Sequence, residues 1–395
     1  MEEEVPVRSW SLARSAVVCV MLALLLMIGV DGDAQAQTLE TKAREAILLD
    51  YDTGVVLFEK NADTAMPPAS MSKIMTVFLA FERLKDGRLT MESEIPISEK
   101  AWRKGGSKMF VEVGDRVTLS DILRGIIVQS GNDAAIALAE AIAGTEEAFA
   151  ELMTEKARAL GMDGATFRNA TGWPDPEHRV TARSLAKLAA ETIRQFPEYY
   201  LIYSEKTFTY NSIRQGNRNP LLYKNTGVDG LKTGHTENAG YGLTSSAVRG
   251  DRRLILVVNG LTSVRERSGE SEKLLEWGFR EFDNYSLLKA GEPITTAEVW
   301  LGKSAVVPLV SDRDVIATMR RSDRKTMTVT VEYEGPVRAP IAKGQQIARM
   351  RVAAPGAEDR VFPLYAGTDV ERLGPLGRIT SAVGHLIWGA PIAVE

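Results

Sequence analysis

The hydrophobic pattern of this chain changes period near Asn284, and that change calls for two unlike folded modules. Before it, helical and strand-like segments are interleaved. Residues 46–61 read AILLDYDTGVVLFEKN, two apolar runs flanking Asp52-Thr53-Gly54, which predicts a β-hairpin. After Pro67-Pro68, the run SKIMTVFLAFERLKDG has apolar residues at helical spacing, and Gly87 closes it. Leu119 to Gly144 is a second helix-rich stretch and Ser184 to Ile193 a third. Leu254 to Gly260, LILVVNG, is expected as a short buried strand, and Glu270 to Phe282 as a helix that turns Leu274, Leu275 and Trp277 inward. Strands and helices alternate without the regular beat of a parallel sheet, so a mixed α+β domain follows. From Ser286 to Arg372 the chain is rich in Val, Thr and turns, as in TMTVTVEY (326–333) and QIARMRV (346–352), which predicts a small all-β module.

The two ends read differently from the middle. Arg8 and Arg14 precede an apolar run of 15 residues, Ala16 to Val30, short of the ~20 that a spanning helix needs. Ala34-Gln35-Ala36 follows, which predicts a secretory signal cleaved after Ala36. An uncleaved anchor is the alternative, and the acidic Glu2-Glu3-Glu4 is unusual for a leader. The single cysteine, Cys19, falls in this segment, so the exported chain would have no disulfide, thiolate nucleophile or cysteine metal site. At the other end, Leu373, Leu376, Ile379, Val383, Leu386, Ile387 and Ala390 fall on one helical arc of about 140°. That segment is expected as an amphipathic membrane-anchor helix, with a core-docking helix as the alternative. The domains expected are thus 1–36 (signal), 37–284 (catalytic), 285–372 (β-rich) and 373–395 (anchor). Lys+Arg number 48 against Asp+Glu 52, a formal net charge of -4, so nucleic acid is not an expected partner.

The chemistry is narrowed by what is missing. His178, His235 and His385 have no metal-ligand spacing, and neither a phosphate-binding loop nor a G-x-S-x-G elbow occurs. No metal or cofactor is expected. Serine chemistry would need a base other than imidazole, and lysine can serve. Ser-x-x-Lys occurs four times, at Ser70, Ser184, Ser286 and Ser322, so the motif alone selects nothing. Context selects Ser70, which sits at the start of a strong helix where Lys73 lies one turn along the same face. Ser-x-Asn occurs once, at Ser130-Gly131-Asn132, and Lys-Thr-Gly once, at Lys232-Thr233-Gly234, spaced 60 and 102 residues apart from Ser70 onward. Singly, Ser130 is a helix N-cap, Lys232 a surface charge and Asn169-Ala170-Thr171-Gly172 a turn. In that order, the triple is the signature of a serine acyl-transfer site.

The motif flanks PPASMSKIMT, IVQSGNDAAIALAE, FRNATGWPDPEHRVTARSLAKLA and GLKTGHTENAGYGLTSSA resemble the low-molecular-mass penicillin-binding proteins that are serine-type D-alanyl-D-alanine carboxypeptidases. The similarity runs from about Ala46 through Phe282, and the β module and terminal helix fit the same layout. The resemblance implies a penicillin-binding/β-lactamase-like α/β domain that removes the terminal D-Ala of peptidoglycan pentapeptide, with β-lactams as covalent inhibitors. Such a protein is exported and works at the periplasmic face of the membrane. Ser70 would be the nucleophile, Lys73 its base and Ser130 the proton relay to the leaving amine. Burial and the Lys232 cation would keep Lys73 neutral. Asn132 would hold the peptide, Lys232 and Thr233 the terminal carboxylate, and Gly234 would let the substrate approach. The backbone N–H groups of Ser70 and His235 would form the oxyanion hole. An arginine after LILVVNG would meet the carboxylate; Arg267 fits, with Arg265 close by.

Three other readings compete. A β-lactamase would need a second base, and Glu177 is the only glutamate in FRNATGWPDPEHR. An endopeptidase could use the same site on cross-links. A non-catalytic wall-binding protein would not need Ser70, Lys73, Ser130, Asn132 and Lys232 intact.

Overall fold

A computed structural model describes residues 39–354, 359–377 and 379. The expected signal segment and nearly all of the expected terminal helix lie outside the described residues. A five-stranded antiparallel sheet organises the first module. Its strands are β1 (Glu45–Asp50), β2 (Val56–Lys60), β3 (Val228–Thr236), β4 (Gly240–Arg249) and β5 (Arg252–Leu261), in the order β2-β1-β5-β4-β3. The first two are the expected hairpin, closed by Gly54 at φ +69°. Strand β5 extends LILVVNG by a residue or two at each end and pairs with β1 on one side and β4 on the other.

The continuous apolar run of β5 is explained by cover on both faces. Ile47, Ile255 and Val257 join the main core, which also holds Ile74 and Phe78 of α1 (Lys73–Lys85), Ala135 of α2 (Asn132–Ala143) and Leu185 of α3 (Ala182–Gln195). The alternate residues face α4 (Val264–Glu281): a Cβ on its Gly278 would lie 2.6 Å from Leu48 and 2.9 Å from Leu254. Helix α4 starts six residues before the expected Glu270. Its first turn, Val264-Arg-Glu-Arg, has no apolar period to reveal it; Ser263 caps it by accepting from Glu266 N, and Glu266 accepts from Thr262 N. Phe282, expected as the last helical residue, instead begins a strand.

That strand, Phe282–Leu288, pairs with Val315–Arg320, so the expected boundary at residue 284 falls inside a strand. The rest of the β module is a six-stranded sheet with its own core, including Val307, Leu309, Met350 and Leu364. Asp50 ties the two modules together. Fully buried, it accepts from Arg252 Nε at 2.9 Å, from Thr53 N and from Asn284 Nδ2, while Arg252 Nη1 donates to Phe282 O. Among the described residues, no helix is long and apolar enough to cross a membrane.

Candidate active site

The turn before α1 sets the site. Ala69–Ser72 forms a single 3₁₀ turn rather than the first turn of the α-helix, so Ser70 lies just outside it and Lys73 is the first α-helical residue. The i+3 relation survives, because a 3₁₀ turn eclipses residues three apart. Lys73 Nζ lies 3.0 Å from Ser70 Oγ. The side chain is fully buried, and Nζ has two further partners, Asn132 Oδ1 at 2.8 Å and Thr171 O at 2.6 Å. Burial, then the Arg218 guanidinium, pulls its pKa down to about 7. Lys232 is the charge expected to depress it, but Arg218 is the leading charge instead; Lys232 is itself driven well below its ordinary value, by burial and then by Lys73. A neutral Lys73 keeps two N–H bonds, enough for Asn132 Oδ1 and Thr171 O, and leaves its lone pair for the Ser70 hydroxyl.

The other three Ser-x-x-Lys tetrads separate cleanly. Ser184 Oγ bonds Asp163 O while Lys187 bonds Gly161 O; Ser286 lies in a strand; Ser322 and Lys325 sit in an exposed 3₁₀ turn. Ser130 is buried in left-handed backbone, φ +61°, and the N-cap of α2 is Gly131. Its hydroxyl is therefore not used in capping, and among the described residues it makes no hydrogen bond. Asn132 Nδ2 donates to Gly105 O, which turns Oδ1 toward Lys73.

Strand β3 is an edge of the sheet and carries Lys232, Thr233, Gly234 and His235, the first three of them buried. Gly234 has a packing reason as well as the expected one. A Cβ there would lie 2.8 Å from Pro68 O and 3.2 Å from Ala69 Cβ, so the glycine lets the strand press against the Ser70 turn. Arg267 is 5 % exposed, donates weakly to Arg218 O at 3.5 Å, and is held down to about 10 by burial. Arg265 is exposed. Ser70, Asn132 and His235 line one hollow of about 490 Å³, together with Ser107, Thr171 and Trp173.

Sequence reasoning missed several parts of this site. The Thr171 carbonyl is held by Asn169, whose Oδ1 accepts from the backbone of Thr171, Gly172 and Trp173. Gly172, at φ +76°, packs so close that a Cβ would sit 1.8 Å from Ala69 O. Arg218 donates to Ser107 Oγ at 2.7 Å across the cleft. His178 is buried beneath the turn. Its Nδ1 accepts from Arg168 N and its Nε2 lies 2.9 Å from Ser72 Oγ, which donates to Ala69 O. That chain fixes a neutral imidazole with the proton on Nε2, and burial pulls its pKa down to about 4. Of this, the sequence offered only Asn169-Ala170-Thr171-Gly172, which singly reads as a turn. Among the described residues, no group of three His, Cys, Asp or Glu can hold a metal.

A mixed sheet-and-helix domain whose edge strand faces a serine and a buried lysine defines a serine-type peptidase. Residues 32–263 match the family described as D-alanyl-D-alanine carboxypeptidase, and residues 282–372 match the C-terminal domain of penicillin-binding protein 5. The chain is 39% identical to D-alanyl-D-alanine carboxypeptidase DacC of Escherichia coli over 90% of this chain and 92% of that protein. It is 34% identical to DacF of Bacillus subtilis over 84% and 87%. Penicillin-binding protein 5 from Haemophilus influenzae superposes with a TM-score of 0.78, at 38% identity over 85% of this chain and 99% of that one. The chain belongs to the D-alanyl-D-alanine carboxypeptidase family, and its activity is that of a serine-type D-Ala-D-Ala carboxypeptidase acting on peptidoglycan peptides.

Proposed function

We propose that Ser70 is the nucleophile and the neutral Lys73 amine its base. The carrying observation is the 3.0 Å approach of Nζ to Oγ by an amine titrating near 7. Ser70 Oγ bonds the carbonyl carbon of the penultimate D-Ala as its proton passes to Nζ. The C–N bond then breaks, and the departing D-Ala nitrogen takes a proton relayed through Ser130. Water, deprotonated by the same amine, cleaves the ester. Backbone N–H groups of Ser70 and His235 stabilise the oxyanion. Asn132 orients Lys73 and the peptide. Lys232, Thr233 and Arg267 take the terminal carboxylate, whose negative charge opposes the burial that lowers the Lys232 pKa. Burial favours Arg267 over the exposed Arg265 for this role.

A solved relative, penicillin-binding protein D2 from Listeria monocytogenes, is known in a cefotaxime-bound form. β-Lactams acylate Ser70 here by the same attack, and the adduct is long-lived. Glu177, the residue a β-lactamase reading needs, is 70% exposed and paired with Arg168, well suited to solvent and not to Ser70. The chain is exported by its N-terminal signal and held at the periplasmic face of the membrane by its C-terminal helix. Exposure of Leu376 and Ile379, both on the apolar arc, supports the anchor. Mass spectrometry after benzylpenicillin treatment, beside D-Ala release from a pentapeptide, tests the assignment. The wild type gains one adduct on the peptide containing Ser70, and Ser70→Ala gains none and releases no D-Ala. An adduct elsewhere, or D-Ala release by the variant, removes Ser70 from the role.

A further inference from the structure

The reaction cleft does not end at Trp173 and Pro174. Those residues, with Gly172, Thr236 and Asn238, also wall a second hollow of about 700 Å³. Its other sides include Pro67, Pro68 and Pro176, backbone with fixed φ that needs no rearrangement to receive a chain. Two arginines line it. Arg44 is committed: its Nη2 donates to Asn238 O and Ala239 O, and Nε lies 3.7 Å from Glu45. Arg179 is not. Its backbone pairs with Thr166, yet among the described residues its guanidinium has no hydrogen bond and no carboxylate partner. The acids nearby are occupied, Glu45 by Asn259 Nδ2 and Arg44, and Asp175 by the Glu177 backbone N–H.

The direction of the substrate brings it here. A terminal carboxylate at Lys232 and Thr233 and a scissile carbonyl beside His235 run the peptide along β3 toward Asn238. Lys232 to Thr236 spans roughly 13 Å at ~3.3 Å per residue. Residues two and three places upstream of the cut bond therefore pass the end of the strand and reach the second hollow. Peptidoglycan stems carry free carboxylates in this upstream part. We propose that the second hollow is an acyl-donor subsite and that Arg179 is a specificity residue that binds a carboxylate on the upstream peptide. The proposal rests on the carboxypeptidase assignment of Ser70.

The test compares two pentapeptides ending in D-Ala-D-Ala, one with its upstream carboxylates free and one with them amidated, with a short Nα-acetyl tripeptide as reference. In the full-length wild type, the free acid is favoured about tenfold in kcat/KM, the worth of one charge-assisted hydrogen bond, and the preference lies in KM. In Arg179→Gln the ratio between the two pentapeptides falls to about one, and Arg179→Lys restores part of it. Because the readout is a ratio within one protein, a partly unfolded variant does not imitate it. Equal use of both pentapeptides by the wild type overturns the subsite, as does an undiminished ratio in Arg179→Gln. Absence of D-Ala release even from the tripeptide overturns the assignment beneath it.

Discussion

Lys73 condenses the chemistry of this protein into one titration. Its amine has three partners and is fully buried, and its pKa is pulled down to about 7, so in the proposed mechanism it can act as a base at neutral pH but not, as an ammonium, below it. The acylation rate constant for benzylpenicillin should rise with pH, about tenfold per unit below 7, and level off above about 8. Stopped-flow acylation between pH 5 and 9 measures this; a flat profile would mean that Lys73 is not the base. The motif spacing made the partnership of Ser70 and Lys73 legible, since i+3 neighbours meet in either kind of helix. Arg218 was not legible, because nothing local marks an arginine 145 residues from Lys73 as the charge that tunes it. Thr171 was not legible either: it acts through its carbonyl, and a main-chain group leaves no trace in residue type.

Between elements, the turn that holds Ser70 is gripped from two sides. Strand β3 presses on it through Gly234, and the 169–172 loop presses through Gly172. Below, His178 bonds Ser72 and through it the Ala69 carbonyl. Burial lowers the His178 pKa to about 4, against 6.5 for an unhindered imidazole, with Asp175 opposing and Arg179, Lys73 and Arg168 assisting. A group depressed on folding binds its proton first in the unfolded chain. Its contribution is complete above pH 6.5 and is lost as pH falls toward 4, about 3 kcal/mol in all. Urea unfolding at pH 7 and pH 4.5 should show this loss in the wild type and a shallower one in His178→Gln. Equal losses would assign the acid sensitivity to other groups. The sequence offered His178 only as a histidine without metal spacing, and its role depends on a serine 106 residues away.

At the scale of the molecule, the two modules were visible from the change of period, and the joint between them was not. Asp50 reads as the last residue of a hairpin strand, and Arg252 as the first of another. They meet across 202 residues as a buried ion pair, with side-chain exposures of 0% and 7%. The same carboxylate holds Asn284, and the same guanidinium holds the Phe282 carbonyl, at the entry to the β module. Asp50→Ala leaves that guanidinium uncompensated in a dry place. It should lower the unfolding free energy by about 3–5 kcal/mol, read from the denaturant midpoint. A change below about 1 kcal/mol would show that the joint does not depend on the pair.

The bare edge of β3 has a cost for the organism that carries this protein. A sheet border reads the main chain of whatever lies along it, and main chains are alike. A rigid amide with a carboxylate at the right spacing is enough to pass as food. With substrate lying along β3 as proposed, reshaping the border to refuse such an impostor would also refuse the natural meal, which narrows escape from antibiotics at this surface.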